Sequence, residues 1–169
     1  LLTAVSAILW IQPVVSQNPR TFSAADELQI RQAVQVVKDA ILKGNVAGLR
    51  RQISDQGLTC TDTKYSSKRV RAFLENKKSY LYMSLFDSAR FSAECGSGYP
   101  SRYPAISEQE FLRTANDSMM IERVNADWAE VTLTSPNVRH YRRAWSLHRE
   151  NGTWKVAGHS WVIGDCTCG

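Results

Sequence analysis

The chain has 169 residues, 43% of them hydrophobic, enough for one domain with a proper core and too few for two. Its 21 Lys and Arg against 16 Asp and Glu give a formal charge of +5, a modest bias toward acidic partners or anionic surfaces. That is far from the dense basic stripe of a nucleic-acid binder, and metalloprotease, P-loop, nucleophile-elbow and dinucleotide signatures are absent.

Residues 1–16 form an apolar run interrupted by Pro13 and followed by the polar Gln17-Asn18-Pro19-Arg20. This is the pattern of the hydrophobic part and cleavage region of a secretory signal without its charged start. Residues 1–19 are therefore set apart as a signal remnant and leader, and 20–169 as a single domain, with a secreted or periplasmic location expected. A stable membrane span needs about 20 apolar residues, so none is expected. Cys60, Cys95, Cys166 and Cys168 are an even number, which in an exported chain favours disulfides. A bridge within the Cys166-Thr-Cys168 tail would close a small strained ring, so a long-range bridge is expected, with Cys60–Cys95 preferred. The tail has no second Cys or His pair at ligand spacing, and neither metal nor cofactor is expected.

Residues 23–43 have helical apolar spacing, with Ile30, Ala33, Val34, Val37 and Ile41 on one face, Ser23 as N-cap and Gly44 as the stop. Asn45 can cap a shorter second helix that stops at Gly57. Leu58–Asp62 is β-branched and alternating, hence a predicted strand, and Ser66 or Ser67 then caps a third helix through Val70, Phe73 and Leu74. Lys64, Lys68, Arg69, Arg71, Lys77 and Lys78 make this region basic. A solvated face is the commoner meaning of such a run, and an anion-binding surface is the functional one. Tyr80–Asp87 is apolar enough for either a strand or a buried helical turn, and Ala89–Cys95 is predicted as a strand. A loop rich in Gly, Pro and Tyr follows over 96–104, and Ser107-Glu-Gln-Glu110 is a capping-box pattern that opens a short helix.

From Ser118 onward the pattern is β. Met119–Val124 and Trp128–Leu133 are joined by the turn Asn125-Ala126-Asp127, and Ser135-Pro136-Asn137 leads into a hairpin whose Asn151-Gly152 suits a type I′ turn. If Glu150 faces Thr153, then Leu147 lies opposite Val156, Trp145 opposite Gly158, Arg143 opposite Ser160 and Tyr141 opposite Val162 on the apolar face. The other face carries His148/Lys155, Ser146/Ala157, Ala144/His159 and Arg142/Trp161, and by parity it takes all three histidines, His140, His148 and His159. With Ala129, Val131 and Leu133 inward, four strands make an antiparallel meander with one apolar face, covered by the N-terminal helices.

The amphipathic helix over 26–43, Ala129-Glu-Val131, and the hairpin Trp145-Ser-Leu-His-Arg-Glu-Asn-Gly-Thr-Trp-Lys-Val156 together resemble the nuclear transport factor 2-like superfamily, an α+β cone related in shape to cystatin. The resemblance covers about 140 residues and is topological. The helix at 107–115 and the loop before it are insertions relative to the minimal pattern. What the resemblance implies is a curved antiparallel sheet wrapped on helices, leaving a conical pocket open at one end. Such domains include isomerases, dehydratases, epoxide hydrolases and polyketide cyclases, beside binding domains without chemistry. The enzymes among them use Asp, His or Tyr side chains projecting into the cone.

For a ligand site, Arg143 is the leading residue, with Tyr141, Trp145 and Ser160 beside it on the inner face. A buried arginine is rare unless paired, so it either meets an acid such as Asp62, Asp87 or Glu130 or anchors an anionic ligand. Asp87 is the candidate general base if there is chemistry, and an ordinary cap otherwise. The expected activity is small-molecule or partner binding without catalysis. A cofactor-independent lyase, isomerase or hydrolase is the alternative. A third possibility is a homodimer through Arg142, Ala144, Ser146, Ala157 and Trp161 on the outer sheet face.

Overall fold

A computed structural model describes residues 21–60, 63–95, 106–136 and 142–161. The expected leader at 1–19, Asp62, the 96–104 loop, His140, Tyr141, Val162, Cys166 and Cys168 lie outside the described residues.

Four predicted caps hold at atomic level. The side chains of Ser23, Asn45, Ser66 and Ser107 each accept a backbone N–H three residues on, and so start α1 (Ala24–Leu42), α2 (Val46–Gln52), α3 (Ser67–Glu75) and α6 (Glu108–Thr114). Between α3 and α6 the strand expected at Ala89–Cys95 is instead helical, and the ambiguous Tyr80 stretch is helical too. They form α4 (Tyr80–Phe86) and α5 (Ser88–Cys95). The reason is capping: Ser79 Oγ accepts the Tyr82 N–H at 3.1 Å, Asp87 Oδ1 accepts the Arg90 N–H at 3.1 Å, and Arg90 reaches Glu94 one turn on.

The sheet has six strands in the order β2-β1-β6-β5-β4-β3. The predicted meander is present as β3 (Met119–Arg123), β4 (Trp128–Thr134), β5 (Arg142–Glu150) and β6 (Thr153–Trp161). Two short strands, β1 (Leu58–Cys60) and β2 (Thr63–Tyr65), extend it beyond β6. The meander is antiparallel as expected, and at its edge β1 runs parallel to β6, Thr59 pairing with Gly158. Gly57 lets the chain into β1, because with φ at +95° a Cβ there would stand 1.9 Å from the Tyr65 carbonyl oxygen.

The hairpin turns at Asn151 and Gly152, with φ of 49° and 77° as a type I′ turn demands. The predicted register holds from Glu150–Thr153 through Leu147–Val156. It then breaks. A bulge in β6 pairs Ser146 with Gly158, Trp145 with His159, Ala144 with Ser160 and Arg143 with Trp161. From that point every β6 residue exchanges the face predicted for it. The pairings of Trp145 with Gly158 and of Arg143 with Ser160 are therefore corrected.

Helix α1 presents Ile30, Val34, Val37 and Ile41 to Ala129, Val131, Leu133, Trp145, Leu147 and Trp154 of the sheet, in one continuous core. Helix α6, the insertion, buries Phe111 and Leu112 in the same core and packs against α1 and α4. Among the described residues no helix is long and apolar enough to cross a membrane.

Candidate functional site

Among the described residues this core holds a buried ion pair, and α6 supplies its acid. Glu108, in the first turn of that helix, is completely buried, as is the Ser107 that caps it. Its backbone N–H donates to Ser84 Oγ at 3.1 Å. Its carboxylate turns inward, away from the helix end, to the sheet. Arg143 Nε donates to Oε2 at 2.9 Å, Trp145 Nε1 donates to Oε1 at 3.0 Å, and His159 Nε2 lies 3.3 Å from Oε1. Arg143, 2% exposed, also donates to the Ile106 carbonyl at 3.1 Å and lies over the Phe111 ring.

Three elements therefore converge on one carboxylate. Arg143 and Trp145 are two apart on β5 and share a face, and the bulge brings His159 to the same face. The placement of all three histidines on the opposite face is thus corrected for His159, while His148 lies where predicted. Burial on its own raises the Glu108 carboxyl. The His159 ring, Arg143 and the Trp145 N–H more than offset it, so the group is held below the usual carboxylate range.

Of the predicted site residues, Arg143 and Trp145 are brought together as expected, but the acid opposite Arg143 is Glu108 rather than Asp62, Asp87 or Glu130. Asp87 ends α4 and caps α5, the ordinary role. The register sets Ser160 opposite Ala144 rather than Arg143. Of the residues expected on the outer face, Arg142 is exposed, Ala144 and Ser146 are half-buried and Ala157 is buried at the bulge, and the register sets Trp161 opposite Arg143 rather than Arg142. Cys60 is buried on β1 and Cys95 closes α5. Among the described residues no group of three or more His, Cys, Asp or Glu could hold a metal ion.

A second carboxylate organises the hairpin end. Glu150 accepts from Ser54 Oγ, from the Asp55 N–H at 3.1 Å and from Lys155 at 3.4 Å, and His148 Nδ1 lies 3.2 Å away. Trp128 stacks on the His148 ring at 4.5 Å. Partial burial raises the Glu150 carboxyl. The Ser54, Asp55, His148 and Lys155 hydrogen bonds outweigh that and bring it to about 2.

No family model matches this sequence, and no curated protein matches it. Solved structures do. A nuclear transport factor 2-like protein of unknown function from Pseudomonas putida KT2440 matches at 14% identity and TM-score 0.48, over 85% of this chain and 90% of the other. A cystatin-like fold protein from Burkholderia xenovorans LB400 matches at 11% identity and TM-score 0.47, over 84% and 95%. A cystatin-like protein of unknown function from Nostoc punctiforme PCC 73102 matches at 14% identity and TM-score 0.45, over 82% and 91%. The likeness is one of fold, and it lends this chain no substrate, partner or activity.

Proposed function

We propose that the chain is a non-catalytic binding domain of an exported protein, and that the Glu108, Arg143, Trp145 and His159 cluster is the polar end of a site for a small anionic or carbonyl-bearing molecule. The observation that carries this is the buried ion pair itself. Replacing such a pair by apolar side chains of similar volume is often neutral or stabilising, so fold stability alone is a weak reason to keep it in an otherwise apolar core. A buried carboxylate displaced from its ordinary range by the groups gathered around it is a better sign of a site. The His159 side chain, 10% exposed, is the most accessible member and the natural point of approach.

Binding fits better than acid–base chemistry. A general base works best with a pKa near the operating pH, whereas Glu108 is held low by its donors and Asp87 is occupied as a cap. Neither carboxylate is thus poised as the proton acceptor of a lyase, isomerase or hydrolase. The sheet-mediated dimer remains a second reading, supported by the shallow outer face where Ala144 and Ser146 flank Gly158. The export reading rests on the leader pattern at 1–19 and the even cysteine count, and with it goes the Cys60–Cys95 bridge. Non-reducing peptide mapping tests that bridge: a Cys60 peptide linked elsewhere, or recovered as alkylated thiol, removes it.

Trp145 reports on the site, since its ring lies 6.3 Å from that of His159. A panel of small carboxylates and carbonyl compounds is titrated by tryptophan fluorescence against the native chain, Trp145→Phe and His159→Gln. The expected result is a saturable change that Trp145→Phe abolishes and His159→Gln weakens. If no compound in the panel produces such a change, or if His159→Gln binds as the native chain does, the site is not here.

A further inference from the structure

An open cavity lies elsewhere. It is a groove of about 450 Å³ between the end of α2, α3 and β6, sharing no residue with the Glu108 cluster. Four cations line it, Arg50, Arg51, Arg71 and Lys155, against a single lining carboxylate, Asp55, over an apolar floor of Ala47 and Ile53. From these features we propose a second binding site, for a compact multiply charged anion of the phosphate-ester or di- and tricarboxylate class. The proposal does not depend on the function argued above.

The volume is that of a small-molecule site. Arginine forks match carboxylate and phosphate oxygens two at a time, and three arginines plus a lysine exceed what one lining acid can neutralise. Glu75 reaches Arg50 at 2.7 Å and Glu150 reaches Lys155 at 3.4 Å, so those two cations are partly engaged. Arg51 is exposed, and among the described residues no carboxylate lies within ion-pair distance of it.

Asp55 shows where a ligand charge would sit. Its carboxylate lies 3.7 Å from Arg71 and 3.3 Å from Lys155, bridging the two walls of the groove. Its side chain is nevertheless 65% exposed, and exposed ion pairs of this kind are weak enough to be exchanged for a better anion. Asp55 is thus a built-in competitor, its charge standing where the ligand's would. The basic run of α3 contributes only Arg71 here. Its Arg69 lies instead over the Tyr65 and Phe73 rings, so most of that run is the solvated face expected of it.

The test titrates inorganic pyrophosphate and citrate into the full chain at low salt by calorimetry, with sodium chloride at matched ionic strength as control. Melting of each variant confirms that it is folded. Saturable binding is expected, weakened about tenfold or more by the exposed double change Arg51→Gln with Arg71→Gln, and suppressed by added salt. Asp55→Asn should tighten it severalfold, an effect that general surface charge would not produce at one residue. Equal binding by the double variant, or no binding to native chain and Asp55→Asn alike, overturns the site. Binding of heparin or single-stranded RNA without either small anion would overturn it too, in favour of a polyanion surface.

Discussion

Glu108 and Glu150 are two carboxylates held below their usual range by opposite means. Glu108 is wholly removed from water and faces a full cation 2.9 Å away, and two strands, β5 and β6, supply the side chains that meet it. Glu150, its side chain 10% exposed, sits beside the hairpin turn and is held mostly by hydrogen bonds from Ser54 and the Asp55 N–H, with Lys155 and His148 at the rim. The difference is one of dependence. Removing a hydrogen-bonded acid near water leaves donors that water can reach, whereas removing a buried one strands a cation that water cannot.

The largest effect expected is therefore at the buried pair. Glu108→Gln leaves Arg143 without its counter-ion and should cost about 3–5 kcal/mol in denaturant unfolding, with Arg143→Met comparable. Glu108→Leu together with Arg143→Met should recover most of the loss, because no unpaired charge remains. A double variant as unstable as the sum of the singles would show that the pair is not the unit described here.

At the hairpin end, Glu150→Gln should cost about 1–3 kcal/mol near neutral pH, the upper value being set by a shift from 4.5 to about 2. The folded pKa lies below the unfolded one, so this stability is present above pH 4.5 and is lost as the pH falls toward 2. Glu108 is lowered as well and adds to the same acid slope. Glu150→Gln should thus flatten the slope in part, and an unchanged acid profile would mean that Glu150 is not held as described.

The smallest effect should come from the turn that carries both strands. Asn151→Ala puts an alanine at φ 49° and should cost about 1 kcal/mol. Chevron or melting data should show the loss with the acid slope of the native chain intact, since neither carboxylate loses a partner. A changed slope would indicate that the turn and Glu150 are coupled.

Much of this was legible from the residues. The caps at Ser23, Asn45, Ser66 and Ser107, the meander, and the register from the turn to Leu147 all follow from local chemistry that tertiary contacts do not override. Helix α4 was left open and α5 was read as a strand because a short apolar run has no clear period, although Ser79 and Asp87 stood at capping distance and could have decided it. The bulge had only the small pair Ala157-Gly158 as a signal, and small residues in a strand have other uses. Glu108 was hidden by its own motif: in a capping box an acid is expected to serve the helix end, and nothing local says that it turns into the core.

The parallel pairing of β1 with β6 has a consequence for biosynthesis. Ile53 and Thr59 pair with Val156 and Gly158, residues made long after them. Until β6 has left the ribosome, β1 and β2 have only each other, and β3, β4 and β5 can cover α1 but lack the strand that joins them to β1. The edge formed by β1 and β2 must therefore wait, and final assembly becomes a late, long-range step.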